Sequence, residues 1–473
     1  MTLIGRSMEV DIMQELLAST SPEMLAMYGR RRVGKTYLIQ TVYKDHMVFE
    51  CSGLQEGALD MQLRNFWLAL MRHASSAHYM LTPSNWLEAF EMLGGYLEGI
   101  KGSKKKVIFL DELPWFDTPR SGFMAALANF WNVWGSKNPK LILVLCGSAA
   151  SWMISHIIHN RGGLHNRVTR KIRLLPFNLK ETKQYLRHRQ VVLQDYDLIQ
   201  LYMALGGVPY YLNFVKPGKS VAQVIQMLFF DKQAQLKDEF EMLYASLFSN
   251  YEQHVKVIKA LASANYGLTR KQLLDKSGEQ SSGSFTKYLT ELESSGFIMA
   301  IQPFQNKKKE VIYRLNDELS LFYLKFLFRK KSGNWHTMAS QQSYKIWCGL
   351  AFENICLKHV DQIEKALGIY GIVTEISSFI KIGKDPEEGV QIDMIIDRAD
   401  NCINLCEMKF YNTDFEISKS YANSLKRKMD LFRKYTRTRK NLFLTVVTTF
   451  GVKPNAQMLS VITNTIEIDA LFS

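Results

Sequence analysis

The sequence of 473 residues predicts an α/β fold built on a buried parallel sheet. Three apolar runs, at residues 24–28, 107–110 and 141–145, have the length and composition of strands that are covered on both faces. Segments with apolar residues at helical spacing separate these runs. Each run is followed by glycine, carboxylate or hydroxyl residues. Open parallel sheets place their binding sites at such strand ends.

The first run leads into GRRRVGKT, which has the G-x-x-x-x-G-K-T pattern of a phosphate-binding loop, or P-loop. A helix is expected to follow, so its free N–H groups and the amides of the loop would face one anion. Lys35 would add charge to the β- and γ-phosphates, and the Thr36 hydroxyl would ligate Mg²⁺. A chance glycine turn is the alternative. The residues expected to contact the nucleotide here are Gly29, Arg30, Arg31, Arg32, Val33, Gly34, Lys35, Thr36 and Tyr37.

The second run ends in Asp111 and Glu112, 75 residues after Thr36. In P-loop enzymes the first carboxylate at this position holds Mg²⁺. The second is placed to polarise the attacking water, which is general-base chemistry. The alternative is an exposed acidic turn after a strand, but the preceding P-loop favours the catalytic interpretation.

The third run ends at Ser148, which is expected either to hydrogen-bond the γ-phosphate or its water, or to form part of a small-residue turn. Several arginines follow at Arg161, Arg167 and Arg170. Of these, Arg167 is the candidate for stabilising transition-state charge, from the same chain or from a neighbouring subunit.

The formal net charge of +14 favours a polyanionic partner. DNA is predicted as the partner in preference to RNA, and an anionic membrane surface is a further alternative. The six cysteines show no C-x-x-C spacing, so a structural zinc site is not expected. The same cysteine usage predicts a cytoplasmic location. The N-terminus has no signal-peptide pattern, and no apolar run is long enough to cross a bilayer.

Downstream segments change character. Residues 178–250 are expected to be helical and to form a lid over the nucleotide. Residues 251–320 have the pattern of three short helices and a β-hairpin, which is typical of a winged helix-turn-helix. Its recognition helix, 284–295, has Lys287 as the single basic residue, so the wing lysines Lys307, Lys308 and Lys309 are the better phosphate contacts. Such domains also serve for packing, and the pattern does not separate the two roles.

The C-terminal part contains a second candidate site. Glu353 lies on the apolar stripe of a predicted helix, Asp393 lies within a strand, and Glu407 and Lys409 end the next strand on one face. Carboxylates from two strands and a helix can bind Mg²⁺ and activate water for phosphodiester cleavage. The alternative is an edge hairpin of solvated charges with Glu353 on the surface.

A strongly basic stretch, 419–440, follows this candidate site. It contains nine lysines and arginines, interleaved aromatic residues, and one acidic residue, Asp430. A helix of this composition can lie along nucleic-acid phosphates.

These motifs resemble a known group. GRRRVGKT, FLDELPWF, LCGSAASWM and GGVPY look like the prokaryotic AAA+/STAND-related P-loop ATPases, and more narrowly like the "ATPase domain predominantly from Archaea" family. The resemblance implies ATP and Mg²⁺ as cofactors. It also implies that Ile4, Gly5 and Arg6 flank the adenine and that Pro209 lies against the nucleotide. No arginine near Gly207 stands out as a second sensor, which is typical of STAND lids.

The C-terminal part is similar to the domain of unknown function that often ends such chains. Through Asp393 and Glu407-x-Lys409 it resembles the PD-(D/E)XK nuclease superfamily, although Asp393 does not follow a proline. The resemblance implies an α/β restriction-endonuclease-like fold.

Five consecutive parts are therefore expected: a P-loop ATPase core (1–177), a helical lid (178–250), a winged helix-turn-helix (251–320), a connector (321–340) and a nuclease-like domain (341–473). Two functions fit them. One is an ATPase coupled to a nucleic-acid-binding and nucleolytic C-terminal domain. The other is a nucleotide-dependent signalling switch whose C-terminal domain only binds a partner. A homo-oligomer or a partner protein is compatible with both.

Overall fold

The computed structural model of the chain describes residues 3–73, 81–248, 250–305, 311–328, 333–381, 383 and 389–473. The chain divides into two compact units, Met1–Pro176 and Phe177–Ser473. The three wing lysines, Lys307, Lys308 and Lys309, lie outside the described residues.

The first unit contains a five-stranded parallel sheet with the strand order β2-β3-β4-β1-β5. Its strands are β1 (Glu23–Tyr28), β2 (Met47–Ser52), β3 (Lys106–Asp111), β4 (Leu141–Gly147) and β5 (Arg170–Arg173). Its helices are α1 (Ser7–Ala18), α2 (Lys35–Val42), α3 (Leu59–His73), α4 (Trp86–Gly99), α5 (Leu113–Phe116), α6 (Phe123–Val133) and α7 (Ala150–Trp152), with a 3-10 turn at Gly135–Lys137 and a π-helix at Met153–Ile158. The predicted α/β class with a parallel sheet is confirmed, because the three apolar runs are β1, β3 and β4.

Both faces of this sheet are buried by helices. Alternate side chains of each strand point to opposite faces, so the central strands β1, β3 and β4 contribute to two cores. One face packs with α1 and α2, and its buried side chains include Met13, Leu16, Leu25, Met27, Leu38, Ile39, Val107, Phe109, Ile142 and Val144. The other packs with α3, α4 and α6, and includes Met24, Ala26, Phe66, Trp86, Phe90, Ile108, Leu110, Leu127, Leu143 and Leu145. Two cores thus hold the central strands in place and leave their carboxyl ends to the loops that follow.

The second unit begins with a helical segment. Its helices are α8 (Leu179–His188), α9 (Asp195–Leu205), α10 (Pro209–Leu212), α11 (Val221–Ile225), which continues as a π-helix over Gln226–Phe230, and α12 (Glu239–Leu247). A mixed segment follows, with α13 (Tyr251–Ala262), β6 (Leu268–Thr269), α14 (Arg270–Ser277), α15 (Gly283–Ser294), β7 (Ile298–Ile301) and β8 (Ile312–Leu315). The three strands form an antiparallel sheet in the order β6-β8-β7.

Two short helices, α16 (Glu318–Phe326) and α17 (Trp335–Ala339), occupy the stretch expected as a connector. Among its described residues, Phe322, Phe326 and Trp335 are buried in the core of the unit. Its aromatic residues pack against one another, with the rings of Phe322 and Trp335 5.2 Å apart.

The last part of the chain is a mixed five-stranded sheet with helices. Its elements are α18 (Gln342–Lys358), α19 (Val360–Ala366), β9 (Thr374–Lys381), β10 (Val390–Arg398), β11 (Cys402–Lys409), α20 (Lys419–Thr436), β12 (Asn441–Thr448), α21 (Ala456–Leu459), β13 (Asn464–Glu467) and a 3-10 turn at Ile468–Phe472. The order is β13-β12-β11-β10-β9. Strands β9, β10 and β11 are antiparallel, whereas β11, β12 and β13 are parallel. Helix α20 is the crossover between β11 and β12.

Among the described residues, no helix combines the length and the apolar character needed to cross a bilayer.

The buried ring of His359 joins two helices of the second unit. Its Nε2 accepts a hydrogen bond from the Leu179 backbone N–H at the start of α8 (3.1 Å), and its Nδ1 lies 2.8 Å from the carbonyl oxygen of Ile355 in α18. A ring that donates at Nδ1 and accepts at Nε2 is neutral imidazole. Burial lowers the pKa of His359 to about 4, because the charged form loses its hydration.

His359 should make the second unit sensitive to acid. Because its pKa is lower in the folded than in the unfolded chain, its stabilising effect is complete above pH ~6.5 and is lost as pH falls towards 4. We expect the wild type to lose up to about 3 kcal/mol more unfolding free energy over that range than His359→Gln. Urea denaturation at several pH values, with exposed His188→Gln as control, measures this difference. Parallel pH profiles for wild type and His359→Gln would contradict the assignment.

Candidate functional site

The loop of residues 29–34 connects β1 directly to α2, and its two glycines have different structural roles. Gly29 has φ 151°, and a Cβ there would lie 2.2 Å from the carbonyl oxygen of Leu174, so Gly29 permits a close approach of two backbones. Gly34 has φ 93° and open space around it, so only the backbone conformation requires glycine. It precedes Lys35, the first residue of α2, and the free N–H groups of that helix therefore start at the loop.

Lys35 is held inside this loop. Its side chain is 6% exposed, and its Nζ donates to the carbonyl oxygens of Gly29 (2.8 Å) and Arg30 (3.0 Å). An ammonium group fixed beside the helix N-terminus adds positive charge where backbone N–H groups already favour an anion. The arrangement can therefore hold phosphate groups.

Thr36 and Asp111 come together from different elements. The Thr36 hydroxyl donates to Oδ2 of Asp111 at 2.7 Å, which joins the first turn of α2 to the end of β3. A hydroxyl and a carboxylate oxygen are hard ligands of the type that Mg²⁺ prefers. These two residues fit the ion that the sequence predicted, and a bound Mg²⁺ would neutralise charge on the β- and γ-phosphates.

Glu112 is held by the end of the neighbouring strand β4. Its Oε2 accepts from the Ser148 hydroxyl (2.7 Å) and from the Ser148 backbone N–H (3.1 Å). Its own backbone is left-handed, with φ 47°. Ser148 therefore contacts the candidate base, a role that neither expectation for Ser148 included.

The arginines near the loop occupy different environments. Arg6 is 5% exposed and its Nη2 donates to the Val33 carbonyl oxygen (3.2 Å), so the segment with Ile4 and Gly5 reaches the loop. Arg30 is 3% exposed. The Arg31 guanidinium lies over the Trp115 ring, 5.4 Å from its centroid, which is a cation–π geometry.

The sequence also predicts Arg167, Tyr37 and Pro209 at the nucleotide site. Arg167 is exposed on the turn before β5, where its backbone N–H donates to Leu164. Tyr37 is 41% exposed in the first turn of α2. Pro209 belongs to the second unit and is the first residue of α10.

In the second unit, Asp393 and Glu407 lie on adjacent antiparallel strands. Met394 of β10 pairs with Cys406 of β11, so Asp393 and Glu407 are the next residues in that register. The pairing of β10 with β9 is irregular at this point, between Ile392 and Ile395. Bulges of this kind re-aim side chains and are common next to active sites.

Arg314 links two of the predicted carboxylates. Its Nη2 lies 3.2 Å from Oε2 of Glu353, and its Nη1 lies 3.9 Å from Oδ1 of Asp393. Burial, and then the charge of Asp393, raises the pKa of Glu353 to about 7, although Arg314 opposes this shift. Asp393 also accepts from the side-chain amide of Gln391 at 2.8 Å.

Glu407 is surrounded by other cations. Lys409 lies 3.4 Å from Oε2 of Glu407, as their shared strand face requires, Lys428 of α20 binds Oε1, and the Tyr421 hydroxyl donates at 3.2 Å. Burial alone would raise the pKa of Glu407, but Lys428 and Lys409 together outweigh burial and lower that pKa.

We call Glu353, Asp393 and Glu407, with Arg314, Lys409 and Lys428, the carboxylate cluster. Its three acidic side chains face three basic ones. The described residues contain no group of three or more histidine, cysteine or carboxylate side chains placed to hold a metal ion, so the expected metal shell would require these side chains to rearrange.

Sequence reasoning missed Arg314 and the pairing of Lys428. Arg314 stands in the short strand Ile312–Leu315, where an inward-facing arginine signals a buried acidic partner but does not say which one. Lys428 is one of the nine basic residues of the 419–440 stretch, which the sequence predicts to lie along phosphates, but in the structure it binds Glu407.

Comparison with known proteins agrees with the loop geometry. Residues 3–215 match the family model described as the ATPase domain predominantly from Archaea. An uncharacterized protein of Methanocaldococcus jannaschii is 24% identical over 448 residues, which is 91% of each chain.

Two solved structures are similar as well. The Walker-type ATPase of Pyrococcus abyssi is 16% identical with a TM-score of 0.50, covering 68% of this chain and 96% of that one. The ORC2 protein of Aeropyrum pernix, in ADPNP and ADP complexes, is 16% identical with a TM-score of 0.44, covering 68% and 93%. With the Lys35, Thr36 and Asp111 contacts, the family match identifies residues 3–215 as an archaeal-type P-loop ATPase domain and the protein as an ATPase.

Proposed function

We propose that the protein couples Mg²⁺-dependent ATP hydrolysis in its first unit to nucleic-acid binding by its C-terminal domain. The contact between Thr36 and Asp111 supports the first half of this proposal. The observation that carries the second half is the one-sided charge of α20 and the four residues after it, described below. The five-part domain division expected from the sequence belongs to the same proposal.

In the ATPase site, Lys35 and the loop amides would bind the β- and γ-phosphates, and Thr36 and Asp111 would hold Mg²⁺. Glu112 takes the proton of the attacking water after the Glu112 carboxylate has released its hydrogen bond from Ser148. Ile4, Gly5 and Arg6 back the adenine, and their support is the contact of Arg6 with Val33. Arg167 is the residue proposed to stabilise transition-state charge.

Glu112→Gln should separate ATP binding from hydrolysis. The variant keeps Lys35, Thr36 and Asp111 but lacks the general base, so we expect kcat to fall by about 10²- to 10⁴-fold with little change in ATP affinity. Phosphate release and filter binding measure the two quantities. Glu91→Gln, an exposed carboxylate on α4, is the matched control. An unchanged kcat in Glu112→Gln would remove Glu112 from the mechanism.

The basic surface is formed by exposed residues of α20 and the segment after it: Lys419, Lys426, Arg427, Arg433, Lys434, Arg437 and Arg439. The remaining basic residues of this stretch are engaged within the fold. Lys428 binds Glu407, and Lys440 binds Asp397 and the carbonyl oxygen of Arg398. A helical face of this charge binds phosphates without reading bases, so the affinity is expected to fall steeply with salt.

The 251–320 segment gives weaker support for base reading. Lys287 on α15 lies 3.9 Å from Glu291, which also pairs with His254 at 2.8 Å. Helix α15 carries two glutamates and one basic residue, Lys287, which is engaged with Glu291. We therefore assign α15 to packing or phosphate positioning and assign the main contact to the basic surface. DNA is the preferred ligand, with RNA as an outcome of the test.

Three substitutions test the basic surface. Lys426→Gln, Arg427→Gln and Lys434→Gln together should weaken duplex DNA binding and reduce the slope of log affinity against log salt by about one for each phosphate that the variant no longer neutralises. Fluorescence anisotropy with DNA and RNA at several salt concentrations measures this. The control is Lys101→Gln, Lys104→Gln and Lys137→Gln, which removes the same charge from exposed positions of the first unit. An equal decrease in affinity in both triple variants would refute the proposed surface.

The C-terminal domain is, in this proposal, a nuclease-like fold. Its support is the element order β9-β10-β11-α20-β12, with α18 before it, together with Asp393, Glu407 and Lys409 on adjacent strands. Lys409 would orient or neutralise the scissile phosphate, and Asp393 and Glu407 would hold Mg²⁺ with Glu353 from the helix.

A nucleotide-dependent switch is the second candidate, and the contact of Ser148 with Glu112 favours it, because a restrained base gives slow turnover. Removing the hydroxyl in Ser148→Ala should raise basal ATP turnover roughly threefold or more, which corresponds to the loss of one hydrogen bond. The rate is measured with and without DNA, with exposed Ser155→Ala as control. A lower rate in Ser148→Ala would show that the hydroxyl assists hydrolysis. DNA stimulation would favour the nucleic-acid function over the switch.

A further inference from the structure

Arg314 takes a position in the carboxylate cluster that a metal ion would need. Its guanidinium lies between Glu353 of α18 and Asp393 of β10, at 3.2 and 3.9 Å from their oxygens. Arg314 itself comes from β8, in the segment that precedes the C-terminal domain. A guanidinium and a divalent cation use the same carboxylate lone pairs, so they compete for one place.

The strand that carries Arg314 is fixed to the helix that carries Glu353. Asn354 donates to the carbonyl oxygen of Leu315 (2.9 Å), and Lys358 donates to that of Asn316 (2.6 Å). These contacts hold β8 against one side of α18. Arg314 therefore cannot leave Asp393 by a side-chain rotation into solvent without disturbing buried neighbours, since its side chain is 6% exposed.

The lysines beside Glu407 are different. The side chains of Lys409 and Lys428 are 28% and 32% exposed, so both can turn towards solvent or a phosphate. Among the three basic side chains of the cluster, the buried Arg314 is therefore the one whose position is fixed by the packing of β8 against α18. Arg314, and not either lysine, therefore controls whether a metal cation can bind between Glu353 and Asp393.

We propose that Arg314 is an autoinhibitory counter-ion that keeps a divalent cation out of the Glu353–Asp393 pair until the β8 segment moves. The inference rests on the proposed function, which assigns this cluster to phosphodiester chemistry. It adds that the cluster is closed in the described state and that displacement of β8 opens it. Metal entry is in this way coupled to the arrangement of the 251–320 segment.

The test is a Mn²⁺ titration of the full, nucleotide-free chain, with free Mn²⁺ measured by electron paramagnetic resonance. Arg314→Met keeps much of the side-chain volume but removes the charge, and we expect Mn²⁺ to bind at least about tenfold more tightly than to wild type. Arg314→Met combined with Asp393→Asn should lose this gain. The control, Arg187→Met on α8, changes the charge equally at an exposed position and should match wild type.

Two results would overturn the inference. One is a folded Arg314→Met that binds Mn²⁺ no more tightly than wild type. The other is a wild type that already binds Mn²⁺ tightly at a site removed by Asp393→Asn, and this measurement needs no Arg314 variant. If Arg314→Met does not fold, Arg314→Lys keeps the charge with a single donor group and should show a smaller gain.

Cleavage of plasmid DNA by the same variants, with Mn²⁺ present, separates this inference from the proposed function. A gain in Mn²⁺ affinity without cleavage upholds the counter-ion role and removes the nucleolytic part of the proposed function. Cleavage that depends on Asp393 in Arg314→Met, and is absent in wild type, supports both. Absence of any gain in Mn²⁺ binding refutes the counter-ion role and leaves DNA binding by the basic surface standing.

Discussion

The hydrogen bond between the Thr36 hydroxyl and the Asp111 carboxylate is the contact on which the ATPase site depends. The two residues are 75 positions apart, and β4 lies between the strands that present them, β1 and β3. The contact forms only when all three strands end at the same level of the sheet. The two buried cores set that level, so the geometry of these two candidate metal ligands is a result of how the sheet is packed.

Much of the first unit was predictable because its signals are local. A strand, a glycine-rich loop and a helix follow one another within about twenty residues, and the buried strands are uninterrupted apolar runs. The position of Asp111 followed from the same reasoning. The contact of Ser148 with Glu112 was not predictable, because both side chains are compatible with several partners and only the order of β3 and β4 brings them together.

In the second unit, sequence reasoning found the carboxylates but not the charges that neutralise them. Asp393, Glu407 and Lys409 lie on one strand pair, as the alternation of strand residues indicated. Arg314 reaches Glu353 across 39 positions, and Lys428 reaches Glu407 across 21. Pairing over such distances depends on tertiary packing, and a sequence with many lysines and arginines offers too many equivalent choices. The packing of the aromatic residues in α16 and α17 depends on tertiary structure in the same way, because Phe322 and Trp335 complete a core that only the folded unit defines.

Helix α18 is a rigid connection between distant parts of the second unit. Its middle carries Glu353, its flank is bonded to the end of β8 through Asn354 and Lys358, and His359 at its end receives the first N–H of α8. A displacement of α8 must therefore either break the bond to His359 or shift α18 as a body. In the second case a movement of the helices that follow the ATPase core would reach the carboxylates about two turns away, with no side chain in between needing to change its rotamer.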